Sequence, residues 1–285
     1  MPFSNSSKLV SLNRKSSLQL KNDLPKLDGA TALFPVYASF VQAVYPKSNY
    51  HIRYGANNVL YCTQTPGAYG NLIKGDIDII FCMEPSNDQI AQAAERGLEF
   101  NMTPIGKDAF VFFVNKNNPV NNITSEQIRG IYSGIITNWQ EIGGEDEAII
   151  PYQRPKNSGS QTLLESIMGE IPIMEPLSEN IVNSMGGIIE RVSVYRNYSN
   201  AIGYSFLFFT TEMVRGNEIK LLSIDGIIPS RETIVSDEYI FSNTFYAITA
   251  GNETENTKKF IEWILSEEGQ YLIKQTGYIP IKNEQ

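Results

Sequence analysis

The sequence predicts an α/β protein with largely parallel sheets. Three observations predict it. Helical and strand patterns alternate along the chain from Leu27 onward. The strand candidates are short apolar runs bounded by turn residues, as buried strands are. A hydrophobic fraction of 42% over 285 residues supplies a core for one or two compact domains, and length alone suggests about two.

The elements follow in order. Leu33, Val36, Tyr37, Phe40, Val41 and Val44 recur at helical spacing. Residues 76–82 (DIDIIFC) and 109–115 (AFVFFVN) read as buried strands. Thr124 and Gln127 stand three apart before Ile128, Ile131 and Tyr132, the pattern of a capping box. Residues 201–206 (AIGYSF) and 244–250 (TFYAITA) are further strands. One final helix is expected through Phe260, Ile264, Leu272 and Ile273, with Gly277 as its stop signal. No Pro/Gly/Ser-rich linker divides the chain, so two lobes would have to be joined by crossing strands.

Charge and composition exclude several classes. There are 23 basic and 31 acidic residues, a net charge of −8, which argues against nucleic acid as a partner. One histidine (His51) and two cysteines (Cys62, Cys82) leave little for a metal centre or a Ser-His-Asp or Cys-His site, and no metal or other cofactor is expected. His51 reads as a surface or hydrogen-bonded structural residue rather than a catalytic one, and the cysteines as two buried thiols or a disulfide. No apolar run reaches the roughly 18 residues that span a membrane. Residues 1–23 read as a disordered basic leader: 1–22 hold Lys8, Arg14, Lys15 and Lys21 and no acidic side chain. It is not a signal peptide as it stands, because no apolar segment follows the basic residues. The chain is then cytoplasmic, cut from a longer precursor, or fused to something else.

Three places share one local design, a strand followed by a hydroxyl- or glycine-rich turn and a helix. They are Asp28-Gly29-Ala30-Thr31, Thr63-Gln64-Thr65-Pro66-Gly67, and Arg154-Pro155-Lys156-Asn157-Ser158-Gly159-Ser160. In the second, Pro66 suits the first helical position, where an N–H is not needed. Helix starts leave backbone N–H groups without intrahelical partners, and the peptide dipoles add partial positive charge. With hydroxyls and one guanidinium, such turns hold a tetrahedral oxyanion. Each of them is also an ordinary helix cap.

The stretches 131–139 (IYSGIITNW) and 154–160 (RPKNSGS) resemble the phosphate-binding proteins of ABC-type phosphate importers. DGATALFP (28–35), GDIDIIF (75–81) and AIGYSF (201–206) fit the same family in order. The likeness runs from about Leu24 to the C-terminus. It implies a two-lobed type II periplasmic-binding-protein fold with a two-strand hinge, lobe one being 24–103 with 239–285 and lobe two 104–238. Carried over by position, Thr31, the Ala32 N–H, Thr65, Arg154, Ser158, Gly159 and Ser160 are the implied oxyanion contacts. One departure stands out. Five residues after Asp78 the family offers Asp or Ser, and here stands Met83, followed by Glu84. Glu84 either turns in to substitute or points to solvent. The resemblance thus implies a non-enzymatic solute-binding protein that captures inorganic phosphate or a related oxyanion between its lobes and passes it to a membrane permease. Its expected place is outside the cytoplasmic membrane, tethered to it. A membrane-tethered sensor or surface-interaction module with the same fold is the alternative. The single histidine and the lack of a G-x-S-x-G elbow argue against an oxyanion-ester hydrolase.

Overall fold

A computed structural model describes residues 1–4, 7–52, 58–193, 200–213, 218–251 and 253–281. The chain folds as two units. Unit 1 comprises 1–107 and 244–285, and unit 2 comprises 108–243, so the backbone passes between them twice. In chain order the elements are β1 (Leu27–Gly29), α1 (Phe34–Val44), α2 (Gln64–Lys74), β2 (Ile79–Cys82), α3 (Asn87–Ala94) and β3 (Asn101–Asn115). There follow β4 (Asn122–Ile123), α4 (Ser125–Ser133), β5 (Ile150–Pro151), α5 (Gly159–Met168), α6 (Met185–Ser193) and β6 (Ala201–Phe206). The last are β7 (Ile219–Leu221), β8 (Ser223–Ile224), α7 (Arg231–Val235), β9 (Ser242–Thr249), α8 (Glu255–Ile264), α9 (Glu267–Thr276) and β10 (Ile279–Pro280). Both crossings fall within strands, β3 and β9.

In unit 1, β1 and β2 pair in parallel, with Leu27 opposite Ile79, while β2 and β9 run antiparallel, with Ile80 opposite Ile248. Gly29 is required by this close approach: a Cβ there would lie 2.6 Å from the Phe81 carbonyl oxygen. An aromatic core fills one side, with Tyr37 stacked on Phe81 at 5.0 Å and Phe40 edge-on to Trp263 at 5.8 Å. In unit 2, β6 lies antiparallel to β3 and parallel to β5. Every residue of β6 is buried, as its mostly apolar run predicts, Ser205 included. The sheets are therefore mixed rather than largely parallel. Strand direction depends on long-range connection, which the local apolar pattern does not encode.

Local signals set most boundaries. Thr124 accepts from the Gln127 N–H at 3.1 Å and Gln127 Oε1 from the Thr124 N–H at 2.8 Å, so the capping box opens α4. The single C-terminal helix is instead two, α8 and α9. Ser266 is the N-cap of the second, and Gly269 packs its bare Cα against the Ile264 backbone, where a side chain has no room. Gly277 ends α9 with φ 115°, as expected. Pro66 is the third residue of α2 rather than the first, still within the turn whose N–H groups need no helical partner. No described helix is long and apolar enough to cross a membrane.

The segment expected to be a disordered leader lies against unit 1. Leu20 is buried and its N–H donates to the Val44 carbonyl at 3.0 Å. The Glu268 carboxylate accepts from the Ser17 N–H at 2.9 Å, the Ser17 hydroxyl at 2.7 Å, Ser16 at 3.3 Å and Trp263 Nε1 at 2.9 Å, with Arg14 3.3 Å away. Basic residues alone read as solvated; a buried carboxylate more than 250 positions along the chain gives this segment a partner. Burial raises the Glu268 carboxyl, but the donors from Ser17, Trp263 and Ser16 outweigh it and hold it at about 2. Its stabilising contribution is full above the ordinary glutamate range and is lost as pH falls from there toward 2. We expect Glu268→Ala to lower unfolding free energy by about 2 kcal/mol at pH 7 in urea titrations, and by much less at pH 3.

Candidate functional site

In unit 1, β1 carries Asp28 into the interior, where it is fully buried. Its carboxylate accepts from the Gly29 N–H at 2.8 Å, the Thr63 N–H at 2.8 Å, the Thr63 hydroxyl at 2.6 Å and Asn71 Nδ2 at 2.9 Å. Four donors satisfy both oxygens without a cation. They tie the turn after β1 to the start of α2, the two turns that hold Thr31 and Thr65. Thr63 spends its hydroxyl on Asp28 and makes no helix cap. Gly67 makes room for it: a Cβ there would stand 2.6 Å from Thr63 Oγ1.

Thr31 opens a short 3-10 turn leading into α1, preceded by Ala30 with no side-chain cap, and Ala32 is buried behind it. Thr65 is also buried. Each threonine hydroxyl meets a thiol, Thr31 with Cys62 and Thr65 with Cys82. Both cysteines are free. Burial pushes both thiols up, and the neighbouring hydroxyls, Thr31 at Cys62 and Thr65 at Cys82, pull them only partly back. Met83 is buried and its carbonyl accepts from the Tyr69 hydroxyl at 2.8 Å. Glu84 is exposed, with Oε1 accepting from the Tyr246 hydroxyl at 3.1 Å. His51 is exposed.

In unit 2, the turn from β5 to α5 holds Arg154, Ser158, Gly159 and Ser160 together. Arg154 is 8% exposed, Ser158 6% and Ser160 2%. The Arg154 N–H donates to Gln161 Oε1 at 3.0 Å and to the Tyr204 hydroxyl at 2.9 Å, and that hydroxyl also bonds Gln161. Its Nη1 donates to the Val182 carbonyl at 2.7 Å. Asn157 takes φ 66°, a left-handed turn that asparagine tolerates. Ser158 is the N-cap of α5, yet its hydroxyl makes no cap bond.

What these groups lack is as informative. Arg154 Nε, Ser158 Oγ and Ser160 Oγ are buried without a hydrogen-bond partner. Among the described residues no carboxylate pairs with Arg154, and burial lowers its pKa from the ordinary guanidinium value. Buried polar atoms are nearly always satisfied. A guanidinium, two hydroxyls and the free N–H groups of one helix start are together donors in want of an acceptor, which is the complement of a small anion. Among the described residues no three potential metal ligands cluster.

Sequence reasoning missed four residues of this neighbourhood. Tyr204 and Gln161 fix the Arg154 backbone. Ser205 and Asp108 also carry buried atoms without partners, Ser205 Oγ and Asp108 Oδ2. The available signal was a serine inside an apolar strand and an aspartate opening another.

Residues 25–268 match the family model described as PBP superfamily domain. The chain is 27% identical over 205 residues to a phosphate-binding protein PstS from Borreliella burgdorferi, covering 69% of this chain and 71% of that protein. It is 29% identical over 170 residues to a phosphate-binding protein PstS from Bacillus subtilis, covering 59% of this chain and about half, 53%, of that one. A crystal structure of a putative phosphate ABC transporter substrate-binding protein with bound phosphate, from Clostridium perfringens, superposes with a TM-score of 0.68 at 25% identity, covering 91% of this chain and 100% of that chain.

The Asp28 clamp can be tested directly. Asp28→Ala strands the Thr63 and Asn71 donors in the interior, and we expect a loss of about 3 kcal/mol in chemical denaturation.

Proposed function

The chain belongs to the PBP superfamily domain family, and on that premise we propose that it is the solute-binding component of an ABC-type importer, capturing inorganic phosphate or a closely related oxyanion and passing it to a membrane permease. The family binds its substrates rather than transforming them. We place the protein outside the cytoplasmic membrane and tethered to it. Arg154, Ser158, Gly159 and Ser160 are the proposed unit 2 contacts, with Thr31, the Ala32 N–H and Thr65 as the unit 1 donors.

The observation that carries this reading is the buried Arg154 guanidinium beside two unpartnered serine hydroxyls, with no carboxylate paired to it among the described residues. The PstS relatives and the phosphate-bound neighbour supply the identity of the anion that fits such a site.

Hydrogen bonds to a charged group contribute about 1.5–3 kcal/mol each. Titration calorimetry should therefore show micromolar or tighter phosphate binding, weakened about 100-fold in Arg154→Ala and about tenfold in Ser158→Ala. Thermal melts provide a second readout. Phosphate at 100 times Kd should stabilise the protein by about 2.7 kcal/mol. In the absence of phosphate, Arg154→Ala should melt no lower than the parent, because it removes an uncompensated buried charge. No heat with phosphate up to millimolar concentration would refute the assignment.

A further inference from the structure

Charge is divided unevenly along the chain. Residues 1–52 hold six basic side chains (Lys8, Arg14, Lys15, Lys21, Lys26 and Lys47) and two acidic ones, Asp23 and Asp28. The rest of the chain holds 17 basic and 29 acidic side chains, more than the whole net charge of −8. All six of the early cations are exposed, whereas Asp28 is fully buried. Asp23 is the exposed carboxylate within 1–52.

A solvated tail would scatter such cations, but the contacts of this segment gather them on unit 1. The Phe3 N–H donates to Gln42 Oε1 at 3.2 Å, and Gln42 Nε2 donates to the Ser11 hydroxyl at 2.7 Å. The Leu20 N–H donates to the Val44 carbonyl at 3.0 Å, and the Tyr45 hydroxyl to the Pro25 carbonyl at 2.7 Å. The Phe3 and Tyr50 rings meet at 6.0 Å. Lys8 lies between the two segments that bond Gln42, Lys21 follows Leu20, Lys26 follows Pro25, and Lys47 stands two residues past Tyr45. These four lysines are thus drawn together around the C-terminal end of α1, a helix with no charged side chain of its own. Arg14 is placed on the same segment by Glu268, at 3.3 Å, and the Lys26 N–H by Asp78, at 2.7 Å. Aliphatic side chains are interleaved with the cations: Leu9, Val10, Leu12 and Leu18 are half-buried, and Ile52 is 43% exposed.

We propose that this face of unit 1 is a docking surface for a bilayer of anionic phospholipid. Lysines on long flexible stems reach headgroup phosphates, and half-buried aliphatic groups between them suit the boundary between headgroups and acyl chains. A soluble polyanion would call for the cations alone. The acidic remainder of the chain does not cancel the attraction, because at physiological ionic strength charges more than about 8 Å from the lipid are largely screened and the nearest face sets the sign. Pinning the segment also means that its backbone loses little freedom on docking. The inference gives the proposed location at the membrane a surface of contact, and it holds whichever anion occupies the Arg154 turn.

The test uses the full chain without any added anchor, in cosedimentation with vesicles of phosphatidylglycerol and with vesicles of phosphatidylcholine. Binding should occur with phosphatidylglycerol only, and high salt should release it. Lys8→Gln, Lys21→Gln and Lys47→Gln should each weaken it about fivefold, and the triple variant about 100-fold. Lys116→Gln, which makes the same change of charge in unit 2, should stay within about twofold of the parent. Unchanged thermal melts show that the variants are folded. Phosphate calorimetry on the same variants should match the parent, so failure of the phosphate reading and failure of this one are told apart. Vesicle binding that ignores lipid charge, or equal losses in Lys116→Gln and the three face variants, would overturn the proposal. So would absence of vesicle binding, including the case in which inorganic polyphosphate binds and the triple variant loses it, since the face would then serve a soluble polyanion.

Discussion

A buried guanidinium that no carboxylate pairs with among the described residues is the constraint on which unit 2 depends. Removing a cation from water costs several kcal/mol even after relaxation. Among the described residues, neutral groups hold Arg154 there: the Val182 carbonyl takes Nη1, and Tyr204 with Gln161 pins the backbone N–H. None of these neutralises the charge, and Nε is left with nothing. The nearby hydroxyls of Ser158 and Ser160 are buried and idle as well, although a serine at an N-cap usually bonds the helix. Folding has thus assembled donors that satisfy one another poorly. Donors left over in this way are the complement of a small anion, which is what the proposed function supplies.

Unit 1 solves the opposite problem. Asp28 is a fully buried carboxylate, and the chain surrounds it with four donors so that it needs no cation. Its negative charge is spent on architecture, binding the end of β1 to the start of α2. The hydroxyls of Thr31 and Thr65 each lie beside a buried thiol, Cys62 and Cys82 respectively. Acidic groups are present near both sets of turns, yet those in unit 1 are either saturated, like Asp28, or turned to solvent, like Glu84.

Much of this was legible in the residues because it is local. The Thr124–Gln127 box rests on contacts within a few positions, and the strand 201–206 and the helix start after Ser158 carry local patterns of their own, so there the pattern and the structure agree. What was not legible depends on distant partners. Strand direction in β2–β9 and β3–β6 follows from where the chain returns, not from the apolar run itself. The N-terminal segment reads as solvated until Glu268 is placed beside Ser16 and Ser17. The break between α8 and α9 hides because Ser266 and Gly269 interrupt an otherwise continuous helical period. Asp108 and Ser205 were passed over for a related reason. In a buried strand the periodic signal is hydrophobic, and one polar residue reads as noise until its missing partner is seen.

The net charge of −8 bears on how such a site works. Over distances beyond about 10 Å at moderate ionic strength the surface field of an acidic protein is screened, and what remains repels a dianion. Attraction must come at short range, from hydrogen bonds in a low-dielectric pocket where each is worth more than in water. The geometry supports that division. The donors around Arg154 are nine-tenths or more buried, so they act only on an anion that has shed its water. An ion desolvated in this way meets the site atom by atom, and discrimination then turns on whether each position offers a donor or an acceptor. Bulk charge cannot make that distinction, because phosphate and sulfate can carry the same charge.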